Sequence, residues 1–123
     1  MTIFEIHARL GNTVLLFAVL MAIWGAWRFL KGQGLVSSYW GAMVIALLLI
    51  LSQGGLGAYL WSIGARPGQG GMHILYGVVS LLPVPLVYVY TKGREGRPEM
   101  LMYTVGFLFI VGLILRAIST GGV

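Results

Sequence analysis

Four long apolar runs, divided by short clusters of glycine and charge, set the rhythm of the chain. No charged residue stands between Arg9 and Arg28, between Lys31 and Arg66, between Arg66 and Lys92, or between Glu99 and Arg116. A helix that crosses a bilayer needs about 20 mostly apolar residues. The runs therefore predict four spanning helices, over 5–29, 39–63, 71–91 and 99–118. The Lys31–Arg66 run holds one helix and a polar loop, not two helices. Breaker chemistry marks the connectors: Lys31-Gly32-Gln33-Gly34, then Gly64-Ala65-Arg66-Pro67-Gly68-Gln69-Gly70-Gly71, then Lys92-Gly93-Arg94-Glu95-Gly96-Arg97-Pro98. Short connectors make consecutive helices antiparallel neighbours. The expected fold is all-α, an integral membrane up-down-up-down four-helix bundle forming a single transmembrane domain over 1–123. Pro83 and Pro85 fall inside the third span, where they free backbone carbonyls and predict a bend. That bend is either a tolerated kink or the wall of a quinone-sized cleft.

Composition agrees with the runs. Hydrophobic residues make up 59% and charged residues 9%, whereas a soluble domain carries about a quarter charged residues. Disorder is excluded, because it needs low hydrophobicity and high charge. The absence of cysteine excludes disulfides, iron–sulfur clusters and thiolate zinc sites. A net charge of +5 invites a nucleic-acid reading, but the basic residues are few and scattered. They read better as topology signals. Arg28, Lys31, Lys92, Arg94 and Arg97 lie on one side, and Arg9, Arg66 and Arg116 on the other. The positive-inside rule then puts the first and third loops in the cytoplasm and both termini outward, in the inner (cytoplasmic) membrane of a bacterium. Trp24, Trp27, Tyr39, Trp40, Tyr88, Tyr90 and Tyr103 form one interfacial belt, and Tyr59 and Trp61 begin the other. The first span lacks a basic start, and Glu5 and His7 precede its apolar stretch. It is expected to be retained and not cleaved as a signal peptide.

An ionisable residue inside a span is a functional hypothesis by default. The chain has two histidines, His7 and His73, each in the first turns of an odd-numbered helix. Those helices run in the same direction, so both imidazoles belong near the same outward surface, on diagonal corners of the bundle. Each opens a His-x-x-x-Gly pattern, with Gly11 and Gly77 one turn further on. A glycine there leaves room for a flat, bulky group against the backbone. Gly54, Gly57, Ala58 and Trp61 add a small-residue face on the second helix. A weaker echo, Ser52-Gln53-Gly54-Gly55 against Ser119-Thr120-Gly121-Gly122, hints at a duplication.

Two histidines alone do not complete a tetrahedral metal site, although Glu5 could make a third ligand. Haem removes the shortage, because the macrocycle brings four nitrogens and the protein adds only two axial imidazoles. The reading is one haem b per chain, with His7 and His73 as metal ligands. Gly11, Gly77, Gly54 and Gly57 line the site, and Arg9 and Arg66 pair with propionates by charge-assisted hydrogen bonds.

These residues also resemble a known family. Glu5, His7 and Arg9 at the head of the first helix, Gln53-Gly54-Gly55 with Gly57 in the second, and His73 early in the third resemble one four-helix half of haem A synthase. The likeness covers about two-thirds of the chain through short motifs. Cytochrome b561-type bundles are similar more loosely. The resemblance implies b-type haem between histidines of alternate helices, and transfers the axial-ligand role to His7 and His73. It does not transfer oxygenating chemistry: Glu5 precedes His7 by two positions, about 200° around the helix, where the family's acid precedes by three. The full enzyme also has two histidine pairs.

The expected function is therefore electron transfer, or a place as a subunit in a respiratory or photosynthetic membrane complex, with no catalytic residue assigned. Expected partners are the lipid bilayer, other membrane subunits or a homodimer, and a redox partner on the outward face, but no nucleic acid. Alternatives are a cofactor-free structural subunit, a haem-modifying enzyme half, and a chlorophyll-type pigment carrier. No phosphate-binding glycine loop occurs, and the chain has no Asp with which to build a Ser-His-Asp set.

Overall fold

Residues 2–121 are described by the structure, a computed structural model; Gly122, the last residue of the glycine-rich echo, lies outside them. Helix α1 spans Ile3–Leu30, α2 spans Ser37–Ser62, and α5 spans Arg97–Gly121. The third span is two helices, α3 (Gly70–Val79) and α4 (Pro83–Thr91). Counting that pair as one, four helices are long and apolar enough to cross a membrane. The chain is an all-α integral membrane bundle.

Local chemistry explains the ends. The Thr2 side chain caps α1 by accepting from the Glu5 backbone N–H at 3.1 Å. Thr2-x-x-Glu5 has the spacing of a capping box, and a carboxylate in the first turn complements the helix dipole. Glu5 thus has a structural duty. In the third span, Pro83 has no N–H to give to Val79. Leu82 N–H takes the Val79 carbonyl at 3.0 Å instead, and Leu81 N–H takes that of Val78 at 3.1 Å. These tighter turns end α3, so the expected bend is a full break.

Loops 1 and 3 clasp each other at one end of the bundle. Leu35 N–H donates to the Glu95 carbonyl at 2.9 Å, and Trp40 Nε1 donates to Glu95 Oε2 at 2.5 Å. Arg97 Nε donates across to the Phe29 carbonyl at 2.8 Å. A Cβ on Gly34 would run into the Glu95 backbone, which is why the loops meet at a glycine. At the other end, Gln69 N–H reaches the Thr120 carbonyl at 2.8 Å.

The core is concentrated on the clasped half. Tyr39, Tyr103, Phe107, Met43, Met100 and Ile110 are buried there, and the Tyr39 hydroxyl donates to the Met21 carbonyl at 3.0 Å. Helix α5 is central, packing against α1, α3 and α4, while α2 rests mainly on α1. The second and third spans barely meet. The expectation that all consecutive helices are close neighbours fails on that side, because α3 is short, glycine-rich and buries no residue. The result is a bundle closed at the loop 1 and loop 3 end and open between α2 and α3 near the histidines.

Candidate functional site

The two histidines come together. Their ring centroids lie 6.2 Å apart with planes at 76°, and both side chains are half-buried. A metal–imidazole bond of about 2.0–2.1 Å, plus about 1.1 Å from nitrogen to ring centre, puts two imidazoles on opposite sides of one metal about 6.3 Å apart. Edge-to-face rings pack at the same distance, so the separation admits one shared metal without requiring it. Among the described residues no three of His, Cys, Asp and Glu gather, so Glu5 does not join them as a third ligand. The donor set is the pair of imidazoles, which suits a metal whose other ligands arrive with a macrocycle.

Each ring is seated by the membrane span that follows its own, His7 by α2 and His73 by α5. A Cβ on Gly57 of α2 would stand 3.2 Å from His7 Cε1, and a Cβ on Gly121 of α5 would run into His73 Nδ1 and Cε1. One turn earlier on the same face, Gln53 Nε2 donates to the His7 backbone carbonyl at 2.7 Å. The matching position on α5 is Ala117, whose carbonyl lies 2.7 Å from His73 Nδ1. With its proton on Nδ1, His73 donates to that carbonyl and leaves Nε2 with a free lone pair. Metal-binding histidines are oriented in this way. The backbone of Gln53 faces the His7 ring but does not close such a bond. The buried Nδ1 of His7 and the buried Oε1 of Gln53 are both without a hydrogen bond.

The remaining expected site residues divide. Gly57 touches the His7 ring. Gly11 is buried, but its close neighbour is Gln53 Nε2, 3.1 Å from where a Cβ would be. Its role is to admit that amide between α1 and α2. Nothing lies within 4 Å of the Cβ positions of Gly54 and Gly77, so each faces open space. Arg9 is exposed near His7 in the chain. Arg66 is turned back on α2: Nη1 donates to the Trp61 carbonyl at 2.6 Å and the guanidinium lies 3.8 Å over the Trp61 ring. It is committed to that helix end. Arg116, next to Ala117, instead lies 5.6 Å from the Tyr76 ring centre, one turn from His73.

Sequence reasoning overlooked Gly121, Ala117 and Arg116, and quoted Gln53 without a role. One signal was available: the separation from His7 to Gly57 nearly equals that from His73 to Gly121. No family model matches the chain, and no curated protein or solved structure matches it either.

Proposed function

We propose that the protein is a membrane-embedded b-type haem protein in which His7 and His73 are the two axial ligands of one haem b. The observation that carries this reading is the 6.2 Å separation of two half-buried imidazoles delivered by different helices. That spacing favours one shared metal over two pigments each held from one side. When bound, haem iron supplies a one-electron couple whose potential depends on its axial ligands and their hydrogen bonds. The chain's own residues do the positioning. Ala117 holds the His73 tautomer, and Gly57 and Gly121 give the two rings their places. The second and third spans barely meet, and Gly54 and Gly77 each face open space, which is the kind of room a flat macrocycle needs. Arg9 and Arg116 are the arginines free to meet its carboxylates by charge-assisted hydrogen bonds.

Such a protein passes electrons, or serves as a cytochrome subunit of a larger respiratory or photosynthetic membrane assembly. Its histidine end faces outward and its clasped, arginine- and lysine-rich loops face the cytoplasm of a bacterium, following the positive-inside rule. The resemblance to a half of haem A synthase supports the ligand assignment. One histidine pair does not supply that family's second haem, which argues for a carrier over a haem-modifying enzyme.

The test is the absorption spectrum of the purified protein, oxidised and dithionite-reduced. A low-spin b-type spectrum at one haem per chain is expected, lost in His7→Ala and in His73→Ala. A colourless protein, or a haem spectrum that survives both substitutions, overturns the reading.

A further inference from the structure

The two histidine settings are built alike, and the likeness exposes one unmatched pair. In the second half of the chain, His73 lies against Gly121, and the position one turn before that glycine provides the acceptor for Nδ1 at 2.7 Å. In the first half, His7 lies against Gly57, and the position one turn before that glycine is Gln53. Gln53 already binds the His7 residue, through Nε2 to the backbone carbonyl. Its other amide atom, Oε1, is a buried acceptor without a donor. His7 Nδ1 is a buried imidazole nitrogen that closes no hydrogen bond, although the backbone of Gln53 faces the ring. Neither orphan is cheap to leave: a buried polar group without a hydrogen bond keeps its desolvation penalty, and in a membrane there is little water to relieve it. The two orphans are complementary, and they sit on residues that already touch.

We propose that Gln53 is the positioning residue for His7: its Oε1 accepts the His7 Nδ1 proton while its Nε2 keeps the His7 carbonyl. The side chain then performs for His7 what the Ala117 backbone carbonyl performs for His73. The bond fixes the Nδ1–H tautomer and leaves Nε2 as the free, ligating nitrogen. Gly11 is part of the same device, because any Cβ there would stand 3.1 Å from Gln53 Nε2 and press the amide away. An amide differs from a backbone carbonyl in being replaceable, so Gln53 is the position at which mutation can tune one ligand alone. This assignment concerns the His7 ring and rests on the haem reading only for its use.

The experiment is nitrogen NMR of ¹⁵N-histidine-labelled, cofactor-free protein in detergent, with His7 assigned by its loss in His7→Ala. Wild type is expected to show His7 protonated at Nδ1 and bare at Nε2. Gln53→Met keeps the length of the side chain and removes the acceptor; His7 should then move toward the Nε2–H tautomer or a mixture. Gln53→Glu restores an acceptor and should restore the Nδ1–H form. His7 signals that are the same in wild type, Gln53→Met and Gln53→Glu overturn the proposal, as does a wild-type His7 protonated at Nε2. A second readout applies to haem-loaded protein. Loss of the acceptor weakens His7 as a donor to iron, so Gln53→Met should raise the midpoint potential and Gln53→Glu should lower it. A merely structural Gln53 would change haem occupancy in both variants and leave the potential in place. The expected tautomer shift in a protein that never takes up haem would sustain Gln53 and dismiss the haem reading, so the two failures are distinct.

Discussion

The chemistry of the site is decided by which side chains are missing. His7 and His73 meet only because Gly57 and Gly121 have no Cβ to hold their rings off. Gly57→Val should displace the His7 ring and lower haem affinity by about 10-fold or more, since a misplaced ligand loses about 1.4 kcal/mol for each factor of ten. Gly121→Ala should do the same through His73. Gly41→Ala, on the exposed face of α2 with open space beside it, is the control and should bind as wild type does; haem titration monitored by absorbance compares the three. The histidines were readable from the sequence, because an imidazole in an apolar run is expensive and so meaningful. Gly121 was legible only through its separation from His73, which nearly repeats that of Gly57 from His7; a glycine among many otherwise announces nothing. Gly11 and Arg66 show the converse. Their types and depths suited a haem pocket, but Gly11 makes room for Gln53, and Arg66 spends its donors on the end of its own helix.

Among the elements, stability and openness are divided along the bundle. The clasped half holds the buried aromatics and the bond that ties Leu35 to Glu95 across two loops, while α3 buries nothing. Amide hydrogen exchange should therefore be faster in α3 than in α5, whose residues Met100, Tyr103, Phe107 and Ile110 are sealed in the core. Equal protection in the two helices would contradict this division. Packing and buried hydrogen bonds, not water exclusion, hold helices together in lipid. Tyr39→Phe removes the bond to the Met21 carbonyl and should cost about 1 kcal/mol, read as a lower unfolding midpoint in detergent with the helix content unchanged. The four spans followed from charge-free runs alone. Two features did not. The prolines promised a bend, but the full break also needed the Val78 and Val79 carbonyls to find closer partners. The open side between α2 and α3 depends on which faces find partners, and spans that are apolar all round do not encode that.

Across the whole molecule, the two ends carry different work: loops 1 and 3 are locked to each other, and the histidine pair lies at the opposite, looser end. Because the chain has no cysteine, single cysteines report orientation without background. A cysteine at Gly68 should react with a membrane-impermeant maleimide from outside intact cells, and one at Gln33 should react only after the cells are opened. The reverse pattern would invert the molecule and place the histidine end inside. The most direct check on the proposal that one metal is shared by the two histidines is electron paramagnetic resonance of the oxidised, purified protein. Two imidazoles with planes crossed at 76° should give a strongly anisotropic low-spin ferric signal, one per chain, absent from His7→Ala and His73→Ala. A high-spin signal, no ferric signal at all, or a low-spin signal that outlasts either substitution would contradict it.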